Sequence, residues 1–328
     1  MTAPATVRVH GPAELVSMVP YLLGFHPSES LVVVGMDDKR VLLTARVDLS
    51  ELRDPKTLTG TMDSLSRGGA TKIIAALYHQ WGRHRLDGAS YLPYVWMNEA
   101  LGIQAKRVGI EVSDVLLVSH GRWWSYACTD AQCCPPEGRE LPKETTAAEA
   151  TAVAAGLVAL DNREALAEML VPRNQVPASV IANAEESQGF TPDLTTKRVI
   201  FAAARGEPAE LDEDDYARFG VALRDHGIRD ACWMAQDDGR IEGRQLWQEL
   251  AVHLPSPYDA APLFLFAWSV WRSGNGALAG IAAERALESD PAYSSADLLL
   301  AALRQGIDPI KMPKMRMPKG GAKAVLEF

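Results

Sequence analysis

The sequence contains few cysteines and no long apolar segment. Four cysteines in 328 residues exclude a small disulfide-stabilised fold. The N-terminus lacks the basic and apolar regions of a signal peptide, so we expect a cytoplasmic protein with reduced thiols. No stretch reaches the roughly 18 consecutive apolar residues of a membrane-spanning helix. The best one, residues 261–271, contains Pro262 and Ser269, and we therefore expect no membrane partner.

Common catalytic signatures are also missing. The sequence has no phosphate-binding loop of the form Gly-x4-Gly-Lys-Ser/Thr and no Gly-x-Gly-x2-Gly after a strand. Nor does it contain Gly-x-Ser-x-Gly or His-Glu-x2-His. These absences favour a protein without catalytic activity, and they predict no cofactor.

Excess positive charge occurs only at the C-terminus. The chain has 33 Lys and Arg against 42 Asp and Glu, a net charge of −9. An acidic body of this kind repels a phosphate backbone. Nucleic acid is therefore an expected partner only through the basic tail at residues 311–328, and we favour a flexible, solubilising role for that tail. Its basic residues are Lys311, Lys314, Arg316, Lys319 and Lys323.

The first 142 residues have the pattern of an α/β domain. Two domains are expected from the length, and 47% hydrophobic with 23% charged residues is typical of a globular chain. The pattern predicts a short first strand, a hairpin, and then two buried strands joined by a helix at residues 90–108, which is the parallel crossover unit. We therefore predict a mixed sheet of five or six strands. Its main predicted strands are residues 6–10, 31–35, 41–49, 72–78 and 112–119.

Residues 143–310 have the pattern of an all-helical domain. Thr146 and Glu149 have the spacing of a capping box, and no convincing strand follows. Residues 260–293 fit the spacing of one tetratricopeptide repeat, which predicts a helical hairpin. We favour a plain helical hairpin that packs on the first domain, because a binding groove takes about three repeats, and the alternative is a concave surface that binds a peptide or partner. The residues at the repeat's signature positions are Ala267, Gly274, Ala279, Ala286 and Pro291.

Several stretches resemble a large, mainly actinobacterial family, the domain-of-unknown-function family 4192. The resemblance implies a cytoplasmic actinobacterial protein and a fold, but no catalytic residues, because the family has no assigned activity. The matching stretches are residues 11–15, 20–35 (PYLLGFHPSESLVVVG), 46–49, 121–137 (GRWWSYACTDAQCCPPE), 229–231 and 267–300.

Polar and aromatic residues follow two of the predicted parallel strands. Because ligands of parallel α/β sheets bind beyond the carboxyl ends of the strands, these residues predict a pocket for a nucleotide-like or other anionic molecule. The preferred interpretation of the same residues is a polar loop and hairpin on the surface. The candidate ligand-binding residues are His79, Trp81, Arg83, His120, Arg122 and Trp123.

Two further groups are candidate sites. Arg46 and Asp48 share one face of a strand, where they could orient a ligand, although a cross-strand ion-pair network is the preferred interpretation. His120, Cys128, Cys133 and Cys134 are a weak zinc candidate, because the spacing is irregular and adjacent cysteines point apart in an extended chain. We favour a tight loop in which the thiols fill space.

These observations favour a non-enzymatic binding or regulatory module that acts through protein–protein contacts. That function predicts an exposed apolar patch or groove on residues 229–305. The alternative is an enzyme or sensor that binds an anionic small molecule at the strand edge. It predicts that Arg83, Arg122 and a histidine converge on one pocket.

Overall fold

The computed structural model describes residues 9–38, 40–80, 92–187 and 211–315, and they form two compact units. The first unit contains the described residues up to Ala165, together with Arg304–Asp308. The second contains the described part of Leu166–Leu303 and the described residues from Pro309 onward. The predicted α/β part followed by a helical part is confirmed.

Six strands form one mixed sheet in the first unit, in the order β2-β1-β3-β4-β5-β6. The parallel pair is β3 with β4, and the other neighbouring pairs are antiparallel. The predicted hairpin of β1 and β2 is confirmed. The strand predicted at residues 6–10 lies mostly outside the described residues, and residues 9 and 10 have no regular structure. The strands are β1 (Ser30–Asp37), β2 (Arg40–Asp48), β3 (Lys72–Tyr78), β4 (Glu111–Ser119), β5 (Arg122–Ser125) and β6 (Arg139–Glu140).

Helices cover both faces of this sheet. On one face, α2 (Pro55–Arg67) and the crossover helix α3 (Val95–Arg107) bury their apolar side chains in the main core. On the other face lies α1 (Pro12–Leu23), to whose Val16 carbonyl the Tyr78 hydroxyl donates a 3.3 Å hydrogen bond. Burial on both faces explains why β1, β3 and the second half of β4 have nearly continuous apolar runs.

The first unit extends beyond the predicted boundary at residue 142. Helix α4 (Ala147–Ala154) begins with the predicted capping box of Thr146 and Glu149. Met18 of α1 forms a small apolar cluster with Ala148 and Ala152 of α4. Because these contacts tie α4 to α1, residues 143–165 belong to the α/β unit and not to the helical one.

The second unit is helical throughout its described part. Helices α10 and α11 pack against each other as a hairpin, with Gly274 in the left-handed conformation (φ 91°) at the turn. The tetratricopeptide character of this hairpin remains a prediction. Counting from α5, which crosses the boundary between the units, the helices are α5 (Arg163–Glu168), α6 (Ala178–Ser187), α7 (Glu213–Ala222), α8 (His226–Asp237), α9 (Arg244–His253), α10 (Ala260–Arg272), α11 (Gly276–Ser289) and α12 (Ser294–Arg304). None of the helices among the described residues is long and apolar enough to cross a bilayer.

A buried ion pair in the second unit holds the start of the predicted flexible tail. Arg272 Nε lies 2.8 Å from Asp237 Oδ1, and the Asp237 side chain is 1% exposed. The Met315 N–H donates to Asp237 Oδ2 at 2.8 Å, and Arg272 Nη1 donates to the Met312 carbonyl at 3.0 Å. Residues 311–315 are therefore anchored, while residues 316–328 lie outside the described part of the chain.

Candidate functional site

Polar side chains meet at one corner of the sheet, where β1 starts and β2 and β3 end. The register places Ser30 opposite both Asp48 and Tyr78. This arrangement arises because β1 is antiparallel to both of its neighbours, so its first residues lie beside their last ones. We call the group Glu29, Ser30, Arg46, Asp48 and His79 the polar corner.

Glu29 joins the strand ends at the polar corner. Its Oε2 lies 2.8 Å from His79 Nδ1, and its Oε1 accepts a 2.8 Å hydrogen bond from the Gln80 N–H. Partial burial works toward a higher pKa of the Glu29 carboxyl, but the hydrogen bonds from Gln80 and His79 outweigh it, so this pKa lies below its ordinary value. Glu29 also has a left-handed φ of 41°, which is uncommon outside glycine. It therefore fixes the position of His79, the predicted site residue.

Arg46 and Asp48 form an ion pair within β2. The Arg46 Nη2 to Asp48 Oδ1 distance is 2.6 Å, and the Arg46 side chain is 18% exposed. The guanidinium also lies over the Phe25 ring, 5.7 Å from its centroid. The predicted common face is confirmed by this contact. The preferred cross-strand pairing is wrong for this pair, because the two side chains reach each other along a single strand.

The polar corner also contains buried polar atoms without partners. Ser30 Oγ and Arg46 Nε make no hydrogen bond within the described residues, although both atoms are buried. Ser30 is 0% exposed. Leaving such a group unpaired costs roughly 1–3 kcal/mol, so the corner has hydrogen-bonding capacity that a bound molecule or water can use. The indole N–H of Trp123 is a third atom of this kind, on the same row of the sheet as Ser30, Tyr78 and Val118.

The other predicted edge residues do not join the polar corner. His120 occupies the β4–β5 turn with a left-handed φ of 48°. The Arg122 guanidinium donates to the Gly138 carbonyl at 2.9 Å and to Glu140 Oε1 at 2.9 Å, so it holds β6 against β5. Its partners are not those of His79. The remaining two candidates, Trp81 and Arg83, lie outside the described residues, so the predicted convergence with Arg83 is untested.

Three thiols converge in the loop after β5. The Sγ atoms of Cys128, Cys133 and Cys134 all lie within 4.8 Å of one another. Among the described residues, neither His120 nor any carboxylate joins them at that distance. The expectation that Cys133 and Cys134 point apart is wrong, because the chain is folded into a turn there instead of being extended. We call Cys128, Cys133 and Cys134 the thiol cluster.

Hydrogen bonds within the loop bring the three thiols together. The Cys134 N–H donates to the Asp130 carbonyl at 2.7 Å, which closes the turn. Ser125 Oγ accepts from the Cys128 N–H at 3.1 Å and donates to Asp114 Oδ1 at 2.7 Å, which fixes Cys128 to β4. The Arg139 guanidinium donates to the Cys133 carbonyl. The cluster is therefore attached to the sheet through side chains of β4, β5 and β6.

The exit of the loop is held by an aromatic side chain. Trp124 Nε1 donates a 3.1 Å hydrogen bond to the Pro136 carbonyl. Gly138, whose φ is 76°, lies directly against the Trp124 indole. This contact leaves no room for a side chain at position 138, so the loop depends on a glycine there.

The thiols differ in their electrostatic environment. The Cys128 sulfur accepts a hydrogen bond from the Cys134 thiol, which lowers the pKa of Cys128. Burial raises the pKa of Cys134 to about 11, and its hydrogen bond to Cys128 acts in the same direction. The fourth cysteine, Cys232, is 0% exposed in the second unit, and burial raises its pKa to about 12. The thiol cluster is therefore chemically distinct from Cys232.

Residues 229–305 present no group of exposed large hydrophobic side chains of the kind that the predicted apolar patch requires. Within residues 229–305, Leu298 of α12 is the one large hydrophobic side chain that is mostly exposed, at 69%. Exposed apolar side chains are instead grouped in the first unit, at and after α4 (Val153, Leu157 and Val158) and on α3, where Val95, Trp96 and Ile103 are each at least half exposed. Contiguous exposed apolar side chains of this kind are typical of contact areas for other molecules.

Comparison with known proteins gives a family and no activity. The profile of a family described as a domain of unknown function (DUF4192) matches residues 12–310. No curated protein and no solved structure matches the chain significantly.

Sequence reasoning missed Glu29 and Ser30. Residues 24–30 (GFHPSES) have only the sequence pattern of a loop before a buried strand. The available signal was the antiparallel pairing of β1 with β3, which places the start of β1 at the carboxyl end of β3.

Proposed function

The chain belongs to the DUF4192 family, described as a domain of unknown function, and we propose that it is a cytoplasmic binding and regulatory module that holds a thiophilic metal ion on its thiol cluster. The observation that carries the proposal is the convergence of three sulfur atoms within 4.8 Å. Zn²⁺ represents the class of ion, because thiolates are among its preferred ligands.

The spacing of the sulfurs supports this proposal. Zinc–sulfur bonds are about 2.3 Å long, and tetrahedral coordination then separates two sulfurs by about 3.8 Å. The sulfurs of the thiol cluster lie within 4.8 Å, so each needs to move by about an ångström or less. Three protein ligands leave a fourth position for water or for an incoming ligand.

Binding is favoured over catalysis by the surroundings of the cluster. A bound metal ion can itself lower the pKa of a coordinated water, but catalysis also takes side chains beside the metal that orient a substrate and move protons. Among the described residues, no histidine or carboxylate lies within 4.8 Å of all three sulfurs. The missing catalytic signatures agree with this interpretation. The module would pass its signal to another protein, and the exposed apolar residues of α3 (Val95, Trp96 and Ile103) are a suitable contact area.

A zinc titration of the reduced chain tests the proposal. We expect one equivalent of Zn²⁺ to bind, measured by competition with a chromogenic chelator. Cys133→Ser should weaken binding by about 100-fold or more, because even residues that only orient a ligand contribute 10–100-fold. Cys133 is exposed, so this change removes a ligand without opening the core.

The matched control is Cys232→Ala. Cys232 lies in the other unit and is buried, so its variant should bind zinc like the wild type. Equal affinity of the wild type and Cys133→Ser would contradict the proposal.

A second candidate function is the binding of a nucleotide-like or other anionic small molecule at the polar corner. The unpartnered atoms Ser30 Oγ and Arg46 Nε favour it. The cations of this corner are already paired, Arg46 with Asp48 and His79 with Glu29. An anion would therefore bind by taking the place of a carboxylate beside Arg46.

A thermal-shift screen with inorganic phosphate, nucleotides and small carboxylates tests this second function. A ligand at 100 times its dissociation constant stabilises its protein by about 2.7 kcal/mol. We expect the shift to disappear in Arg46→Ala and to persist in Arg40→Ala, whose side chain lies exposed at the other end of β2. A shift that survives Arg46→Ala would place the ligand elsewhere.

A further inference from the structure

We propose that Cys128 and Cys134 are a peroxide-sensitive pair whose disulfide releases the metal ion. The disulfide rests on the thiol geometry alone, whereas the release of metal rests on the proposed function. Hydrogen peroxide or an organic hydroperoxide is the oxidant. The thiol cluster would thereby report oxidation as a loss of bound metal.

The geometry favours bond formation between these two sulfurs. They lie within 4.8 Å, and a disulfide needs about 2.05 Å, so the side chains must approach by no more than about 3 Å. The turn that brings them together is closed by the hydrogen bond from the Cys134 N–H to the Asp130 carbonyl, at 2.7 Å. The two residues are six positions apart on a turn, and neither is fully buried. A local rotation of side chains can therefore bring the sulfurs together.

Cys133 is a poorer partner for Cys134. A bond between adjacent cysteines closes a small ring that contains their shared peptide bond, and the planar trans peptide resists the distortion this requires. Cys133 is also the exposed member of the cluster. It would remain a free thiol after Cys128 and Cys134 are joined.

The chemistry uses two thiols and one peroxide. The Cys128 thiolate attacks one peroxide oxygen and the O–O bond breaks. The products are a sulfenic acid and a leaving hydroxide, or an alkoxide from an organic hydroperoxide, that takes up a proton. The Cys134 sulfur then attacks the sulfenic sulfur, the S–O bond breaks, and the hydroxyl leaves as water with the Cys134 proton. Two electrons pass from the thiols to the peroxide, and a dithiol reductant reverses the change.

Disulfide formation removes two of the three sulfur ligands. A single thiolate, Cys133, then remains for the ion. Since the loop has no histidine or carboxylate among the described residues that could replace them at the same distance, the ion is expected to leave. The lost metal is therefore the direct readout of oxidation.

Peptide mapping of peroxide-treated full-length chain tests the pairing. Cleavage before Asp130 separates Cys128 from Cys133 and Cys134, so a cross-linked peptide proves a bond across that site. We expect the cross-link in the wild type and in Cys133→Ser. In Cys134→Ser it should be absent, and a sulfenic acid on Cys128 should be trapped by dimedone. Buried Cys232 is the internal control and should stay reduced.

Zinc release from the loaded wild type is measured in the same experiment. We expect release to rise with the cross-link toward one equivalent per chain and to reverse with dithiothreitol. A cross-link in a chain that does not bind zinc would overturn the proposed function but would still support the Cys128–Cys134 disulfide. Zinc binding without a cross-link, or a cross-link that persists in Cys134→Ser, would overturn the pairing itself.

Discussion

Replacing Arg272 with alanine is expected to destabilise the second unit by about 3–5 kcal/mol. Arg272 is the cation that faces Asp237, with a 2.8 Å contact to a carboxylate that is 1% exposed. Without it, the carboxylate keeps hydrogen bonds from the Trp268 indole and the Met315 N–H, at 3.0 and 2.8 Å. These dipoles do not replace a full positive charge, so the buried Asp237 would be left uncompensated.

Amide hydrogen exchange followed by mass spectrometry is the suitable measurement, because it reports each unit separately. We expect faster exchange in α8 and α10, and in residues 309–315, whose backbone Arg272 and Asp237 hold. The matched control is Arg40→Ala, since Arg40 pairs with Asp37 on the surface with side chains 78% and 46% exposed. That pair should contribute less than about 1 kcal/mol. Similar losses of stability in Arg272→Ala and Arg40→Ala would show that the buried ion pair stabilises the protein no more than a surface pair does.

The sheet was largely predictable from the sequence because its central strands β1 and β3 are buried on both faces. The apolar run of residues 72–78 has the bounds of β3, and the helix after it correctly indicated a parallel partner. The unit to which α4 belongs could not be predicted in the same way. Its capping box is local and was recognised, but its contact with Met18 links positions more than 120 residues apart in the chain. A local pattern cannot show which unit a helix packs against.

The candidate sites were predictable to a smaller extent. His79 and the Arg46–Asp48 pair were identified from strand ends and side-chain alternation, and both lie at the polar corner. Glu29 was missed because its role depends on strand pairing that has no signal in its own loop. The thiol cluster could not be predicted from residue spacing, because adjacent cysteines point apart only in an extended chain. The hydrogen bond from the Cys134 N–H to the Asp130 carbonyl closes a turn, and the three sulfurs then lie within 4.8 Å of one another.

Replacing Gly138 with alanine is expected to damage the thiol cluster from outside it. A Cβ at this position would lie 2.6 Å from Cζ2 and 2.8 Å from Cδ2 of Trp124, and the backbone has a φ of 76°. The left-handed conformation costs about 1–2 kcal/mol for alanine, and overpacking adds about 1–3 kcal/mol. Relief of the clash requires the indole to move, which breaks its hydrogen bond to Pro136 at the exit of the loop.

Together, these costs should lower the stability of the first unit by about 2–5 kcal/mol in Gly138→Ala. Zinc binding should weaken at least about tenfold, because the loop would no longer hold its three sulfurs at ligand spacing.

Gly121→Ala is the matched control, because it introduces the backbone strain without the clash. Gly121 has nearly the same φ, 73°, but a Cβ there meets nothing within 4 Å. Gly121→Ala should therefore lower the free energy of unfolding by only about the 1–2 kcal/mol that backbone strain costs, and it should keep the zinc affinity of the wild type. Hydrogen exchange in β5 and zinc competition measure both quantities, and equal zinc affinity in the two variants would show that the position of Trp124 does not control the cluster.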